Sequence, residues 1–355
     1  MSNDRERVIR DDEIDLVELM ARLWRHRLLV LVTTLLVGAI AVAYSMLVTP
    51  IYEAKVFVQP PTQNDIAHFN YGRGGSSGLI MLSVKDISDV YSRALQSESL
   101  RREFFESNYL PWSAQREGAR SLDDLYNQMS KVLVLELVNP DSPGRYSIAV
   151  KLSDPHLAAQ WAMRYVQMAG ERAKSEVLKD VKADAMVKAN NLERQIALAR
   201  ETGVHKREDR IAQLKEALVI AKSIGLVRPP IISGDIAKEL SANMDGALTY
   251  MRGSEALEAE ISNLERRSSD DPFISKLREQ QADFEFYQSL TVDPATVEVY
   301  RQDGGVESPD MPVNPKKALI ILLGVLVGLF LGAILALLKH VWLSNHGVRS
   351  WMKGA

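Results

Sequence analysis

Few residue types in this chain can do covalent chemistry, and none of them is spaced to do it. There is no cysteine among the 355 residues, so disulfide scaffolds, thiolate metal sites and cysteine nucleophiles are excluded. The six histidines are scattered and form no metal-ligand spacing. The glycine-rich run Tyr71–Gly78 (YGRGGSSG) lacks the Lys-Ser/Thr of a phosphate loop and reads as a flexible loop. Carboxylates cluster at Glu255, Glu258 and Glu260, but they fall where the solvated faces of a helix are expected. What remains is chemistry of position. Pro309, Pro312 and Pro315 recur every third residue, Lys316 and Lys317 follow, and Gly324, Gly328 and Gly332 lie four apart. The prolines predict a polyproline II strut without internal hydrogen bonds. The two lysines suit lipid phosphates or pyrophosphate head groups, or simple anchoring at an interface. The glycines form a small-xxx-small face that lets another helix approach closely, whether the other apolar segment, a second copy or a separate membrane enzyme.

These residues need a membrane to act on. Leu28–Val48 and Ala318–Leu338 are each 21 residues long and uncharged. At roughly 1.5 Å per residue, each matches a hydrocarbon core of about 30 Å. Ala41-Val42-Ala43 has the form of a signal-peptidase site. However, the preceding segment is long, holds seven acids against six bases, and the apolar run continues past Ala43, so a retained anchor is expected. Arg22, Arg25 and Arg27 before the first span, and Lys339, Arg349 and Lys353 after the second, put both termini in the cytoplasm. Lys316 and Lys317 oppose that rule with little weight, because 269 residues (49–317) separate the spans. The net charge of -3 gives no basic footprint for nucleic acid. The mean hydropathy of -0.11 hides two apolar ends balanced by a polar middle.

The middle reads as an α+β domain. Strands are expected at 51–60, stopped by Pro60 and Pro61, at Lys131–Leu137, at Tyr146–Leu152 and at Ala295–Tyr300, with a turn over Asn139–Gly144. Ser83 with Asp86, and Ser121 with Asp124, open helices. Asp154-Pro155 starts a helical pattern that runs to about Lys222. Ala189, Leu192, Ile196 and Ala199 form one 3-4-3 seam; Ile211, Leu214, Leu218 and Ala221 form another. They differ in phase by about one residue, which predicts a kink, a stutter or a break near Gly203, with two ordinary helices as the alternative. Gly225–Gly234 marks a hairpin tip. The return passes through Asp235–Leu240 and Met251–Leu264, then restarts at Asp271-Pro272 and runs to about Leu290. Leu257, Ile261, Leu264, Leu277, Phe284 and Leu290 supply the facing stripe. So thin a hairpin cannot hide its stripe alone, which predicts a homo-oligomer.

The expected fold is an α+β membrane protein, with two transmembrane helices flanking a periplasmic α/β base and a long coiled-coil-like hairpin. Its parts are a cytoplasmic segment 1–27, a first span 28–48, a base 49–153, a hairpin 154–290, a return strand and proline-rich segment 291–317, a second span 318–338 and a cytoplasmic tail 339–355.

This layout resembles the Wzz-type chain-length determinants of the polysaccharide co-polymerase family. The most specific part is Pro315-Lys316-x11-Gly328-x3-Gly332, preceded by Pro309-x2-Pro312. The gap between Pro312 and Pro315 is shorter than the family's, and Asn314 stands where a serine is usual. Also similar are Tyr52-Glu53-Ala54 with Pro60-Pro61, Tyr250-Met251-Arg252-Gly253 before Ala256-Leu257, and Asp271-Pro272-Phe273-Ile274. The resemblance implies a Gram-negative inner-membrane protein, both termini cytoplasmic and the main domain periplasmic, that forms a ring of copies. It implies non-enzymatic control of lipopolysaccharide O-antigen chain length, exerted on a Wzy-type polymerase using undecaprenyl-pyrophosphate-linked glycan, with no cofactor. The expected coupling residues are Pro309, Pro312, Pro315, Lys316, Lys317, Gly324, Gly328 and Gly332. The expected assembly seam is Leu192, Ile196, Ile211, Leu214, Leu218, Leu257 and Ile261. Rival classes are a tyrosine autokinase or a partner of a separate kinase in capsule or exopolysaccharide export, a glycan-processing enzyme, a secretion adaptor and a receptor. The absence of a Walker A motif and the 17 residues after Leu338 argue against an autokinase.

Overall fold

The computed structural model describes residues 24–25, 27–115, 120–139, 144–230 and 246–351, with side chains to 339. The expected return through Asp235–Leu240, the middle of the turn at 140–143, Arg22 and Lys353 lie outside the described residues. The chain divides into two compact units. One comprises Met1–Gln59, Ser92–Gly170 and Tyr300–Ala355; the other comprises Pro60–Tyr91 and Glu171–Val299.

In chain order the elements are α1 (Arg27–Leu47), β1 (Tyr52–Gln59), α2 (Val84–Gln96), α3 (Glu98–Phe104), α4 (Leu110–Ala114), α5 (Leu122–Val132), β2 (Leu133–Leu137), β3 (Tyr146–Leu152), α6 (Pro155–Ser223), α7 (Ser254–Arg266), α8 (Leu277–Ser289), β4 (Arg301–Asp303) and α9 (Lys317–Trp351). The first unit is built on an antiparallel sheet of order β2-β3-β1-β4. Alternate residues of β1, namely Ala54, Val56 and Val58, are buried, which is why the apolar-polar alternation reads as a strand. Tyr52 pairs with Leu152 and Val58 with Tyr146. Aromatic side chains fill the space beside the sheet. Phe104 meets Trp161 and Tyr165 edge-on, at 5.6 and 5.4 Å between centroids. The Tyr165 hydroxyl donates to the Leu95 carbonyl at 2.8 Å, satisfying a buried polar group.

Two strand expectations are corrected. Lys131 and Val132 belong to α5, because the Leu133 amide still bonds the Met129 carbonyl and strand geometry begins only there. Ala295–Tyr300 is not a strand. Asp293 caps a 3-10 turn at Pro294–Thr296, its carboxylate accepting from the Ala295 amide at 2.9 Å, and the Glu298 amide bonds the Asp65 carbonyl. Backbone groups committed to a loop cannot form a ladder, and the fourth strand starts at Arg301. Ser83 and Asp86 form the reciprocal cap that their spacing implies: Asp86 accepts from the Ser83 amide and hydroxyl, and its own amide donates to Ser83. Ser121 sits at the N-cap of α5 without a side-chain capping bond.

The second unit contains most of α6. Asp154 caps this helix through the His156 and Leu157 amides, at 2.9 and 3.2 Å. It then runs 69 residues without interruption, about 100 Å. The break near Gly203, and the alternative of two helices, are therefore corrected. An added Cβ at Gly203 would lie 3.0 Å from the Ile274 side chain, so this glycine admits a neighbouring segment and does not end the helix. The half-buried positions step by four through Ala199, Gly203, Arg207 and Ile211, one residue longer than a regular 4-3-4 spacing, and this absorbs the phase change. The helix closes in a Schellman motif. Gly225 has φ +69°, its amide bonds the Lys222 carbonyl at 3.1 Å, and the Leu226 amide bonds the Ala221 carbonyl at 2.9 Å. The Leu226 and Val227 carbonyls then accept from the Ser254 and Glu255 amides, starting α7. Gly253, at φ +83°, lies so near that backbone that a Cβ would be 2.6 Å from the Val227 oxygen.

The hairpin core has two described clusters. Leu214, Ala217 and Ala221 pack on Leu257, Ile261 and Leu264, with Ile211, Leu218 and Tyr250 partly buried beside them. Leu79, Ala189 and Tyr287 form the other, with Leu192, Phe284 and Leu290. The helix expected from Asp271-Pro272 is corrected: Asp271–Phe273 is a 3-10 turn, Lys276 has φ +62°, and α8 begins at Leu277. The Asp271 carboxylate, expected to cap, is instead held by Arg200, Nε to Oδ1 at 3.0 Å and Nη2 to Oδ2 at 2.8 Å.

The glycine-rich run is also corrected from a flexible loop. Gly72, Gly74, Gly75 and Gly78 take positive φ and wrap the chain around Arg73. The Arg73 side chain is buried and donates to the Ile80 carbonyl at 2.8 Å and to Asp184 at 2.9 Å. Tyr287 donates to the Ser77 carbonyl.

Candidate functional site

The glycine face meets α1 of the same chain, the first of the three partners its spacing left open. Cβ atoms added at Gly328 would lie 2.9 Å from the Thr34 Cα, and at Gly332 3.0 Å from the Val30 Cα; Gly324 abuts Ala41. At Gly328 and Gly332 the atoms met include backbone, so any larger residue must push the helices apart. Both helices are long and apolar enough to cross a membrane, with mean hydropathy 2.3 and 3.0. Three hydroxyls of α1 are satisfied within that helix: Thr33 and Thr34 donate to the Val30 carbonyl and Ser45 donates to the Val42 carbonyl, at 2.8 to 2.9 Å. Such bonding is what an apolar solvent demands.

The proline-rich segment continues this pairing. The Ile51 amide donates to the Asn314 carbonyl at 2.9 Å, and the Val313 amide donates to the Ile51 carbonyl at 2.8 Å. The uniform strut expected here is corrected, because the chain bends at Asp310, Met311 and Val313 to make that bridge. Pro309, Pro312 and Pro315 are half-buried, and Asn314-Pro315 is cis. Upstream, Ser308 lies 3.0 Å from His156 Nδ1 at the start of α6, and Arg145 pairs with Asp303. Lys316 and Lys317 are exposed at the N-terminus of α9. One tied unit thus contains both apolar helices, the segments leaving and entering them, and the sheet.

The expected seam residues divide. Leu214 and Leu257 are fully buried, Ile196 and Ile261 nearly so, and Leu192, Ile211 and Leu218 half-buried, all within the hairpin of one chain. The carboxylates weighed as catalytic are paired with bases: Glu255 with Arg228 at 2.9 Å, Glu258 with Lys222 at 2.7 Å, and Glu260 with Arg252 and Arg210 at 2.6 and 3.4 Å. No group of three metal-ligating side chains occurs among the described residues.

Sequence reasoning missed a second concave site, inside the second unit. Lys206, Arg207 and Arg210 of α6 face Arg267, Asp270, Phe273 and Ser275 across a cavity of about 470 Å³. Asp270 is 7% exposed and its carboxylate holds Arg207 at 3.1 Å and Arg267 at 3.4 Å. The i,i+3 pair Arg207 and Arg210 was the available signal, but its opposite wall comes from 60 residues away.

With this geometry established, known proteins with the same layout can be compared. Residues 12–107 match the family model described as Wzz, chain length determinant protein, and residues 297–341 match a G-rich domain found on putative tyrosine kinases. The chain is similar to the chain length determinant proteins of Escherichia coli K12, 24% identical over 343 residues, and of Shigella flexneri, 23% over 343 residues, each covering 95% of both chains. A 49-residue stretch, 14% of the chain and 7% of the relative, is 51% identical to the Escherichia coli tyrosine-protein kinase etk. The fold resembles a full-length bacterial polysaccharide co-polymerase, with TM-score 0.69 and 21% identity over 93% of this chain and 99% of that one. It also resembles the wild-type Shigella flexneri O-antigen chain-length regulator WzzBSF, with TM-score 0.50 and 17% identity over 73% and 98%. The resemblance to Wzz-type chain length determinants, and to the polysaccharide co-polymerases, therefore holds in domain, full length and fold.

Proposed function

We propose that this chain regulates the length of lipopolysaccharide O-antigen chains without catalysing a reaction. Several copies form a periplasmic scaffold on a Wzy-type polymerase in a Gram-negative inner membrane and bias how many repeats are added before release. The observation that carries this reading is full-length similarity to chain length determinants, 95% of both chains. The reading includes a domain division: cytoplasmic ends at 1–27 and 339–355, spans at 28–48 and 318–338, and periplasmic material between.

The paired helices give the reading a mechanism. A polymerase in the membrane and a scaffold outside it must be coupled through elements that do not slide. The glycine contacts of α9 on α1 and the Ile51–Asn314 bridge tie those elements into one body. Pro309, Pro312 and Pro315 shape the entry to α9, and Lys316 and Lys317 sit where lipid phosphate or undecaprenyl pyrophosphate heads would lie. The exposed apolar residues Val187, Leu198 and Ile220 recur at 11-residue intervals or their double on α6, and they support burial against another copy.

A strain carrying Gly328→Leu in place of the native chain tests the coupling. Leucine has no room against the Thr34 backbone. The protein should still be made and inserted, while the O-chain length distribution broadens; an unchanged distribution would count against the proposed role. The G-rich match supports a second reading, a co-polymerase working with a separate tyrosine kinase. Co-purification with a kinase, and capsule rather than O-antigen loss on deletion, would favour it.

A further inference from the structure

We propose that the cavity between α6 and residues 267–275 binds an acidic sugar, a pyranose ring bearing a carboxylate. This rests on the reading that the chain works beside a growing glycan, and it gives that glycan a contact. The first argument is charge. Lys206, Arg207, Arg210 and Arg267 line the cavity against the single carboxylate of Asp270. That carboxylate is spent on holding two of the guanidiniums. Arg210 is shared with Glu260, which also holds Arg252, while Lys206 is exposed and has no ion pair among the described residues. A concave wall with excess positive charge concentrates anions.

The second argument is shape. A planar guanidinium fixed by a buried carboxylate is preorganised to grip a second, planar carboxylate through two parallel N–H bonds. Arg267 lies 3.7 Å from the centroid of the Phe273 ring, yet that residue remains 67% exposed. Arg267 covers one face of this ring, and the other, exposed face offers its negative charge to the C–H groups of a pyranose. Thr202 and Ser275 add hydroxyls at the wall. The volume, about 470 Å³, falls within the range of small-ligand sites, roughly 300–1,000 Å³. Gly203 keeps the two walls close, since a Cβ there would crowd Ile274.

The test titrates the full-length chain in detergent with trigalacturonate, followed calorimetrically, with maltotriose and inorganic phosphate as competitors. Uronate binding is expected to weaken about tenfold in Lys206→Glu and severalfold in Phe273→Ala, with folding and assembly size unchanged. Maltotriose should not displace it, and phosphate should compete no better than chloride at equal ionic strength. Equal affinity in native chain and both variants would overturn the proposal. So would displacement by phosphate with Phe273→Ala unaffected, which marks a bare oxyanion site. Loss of assembly in Lys206→Glu would overturn it too, assigning the cavity to a contact between copies. The measurement needs no polymerase, so absent binding with length control intact sinks this inference alone.

Discussion

At the residue scale, the charged groups of the hairpin position other groups. Arg200 beside Asp271 holds its carboxyl below the usual range, mainly through the hydrogen bonds it donates. A carboxyl depressed in the folded state stabilises above its unfolded pKa, and that contribution fades as pH falls through the folded value. Asp271→Asn should therefore lower the thermal midpoint near neutrality, and the difference from the native chain should shrink on acidification below about pH 4. A gap that persists in acid would mean that packing, not charge, is the cause. The Tyr126 hydroxyl is pushed up to about 12, first by burial and then by its bond to Glu98, so it stays protonated in ordinary buffers. Two glycines of the hairpin tip separate strain from space. Gly225→Ala meets only the left-handed φ, whereas Gly253→Ala also collides with the Val227–Arg228 backbone. The first should cost about 1 kcal/mol and the second clearly more, read by thermal or denaturant melts.

At the element scale, what was legible in the sequence is what depends on local periodicity. Both apolar helices, β1, β3, the Asp154-Pro155 start and the stripe Leu214–Ala221 against Leu257–Leu264 follow from spacing alone. Tertiary competition hid the rest. Asp271 looks like a cap until Arg200 arrives from 71 positions away, and Ala295–Tyr300 alternates like a strand although its hydrogen bonds go to Asp65. Gly203 looks like a breaker because the loop it admits is invisible in sequence. The earlier stripe of α6, Ala173, Val177, Val181, Ala185 and Ala189, advances in steps of four and was missed because small residues give a weak apolar signal. The glycine face on α9 was legible, but its partner was not, since small-xxx-small spacing says only that something comes close. The hairpin depends on its clusters: Leu214→Ala should destabilise the fold by about 2–5 kcal/mol, and adding Leu257→Ala should cost less than the sum of the two single changes. Denaturant melts of the four proteins check both statements.

At the scale of the whole molecule, the proposed function requires a chain fixed in the membrane at both ends, with its hairpin outside and assembled with copies of itself. The lack of native cysteine makes orientation simple to read. Val187→Cys places one thiol at a position 60% exposed, and a membrane-impermeant maleimide should label it from the periplasmic side. The central claim concerns length, and the direct measurement is the distribution of O-chain lengths on lipopolysaccharide from a smooth strain with the gene, without it, and with it restored. The account expects a modal cluster of lengths that disappears on deletion, while polymerisation continues, and returns with the gene. A distribution that keeps its mode without the chain, or a loss of all polymer, would contradict it.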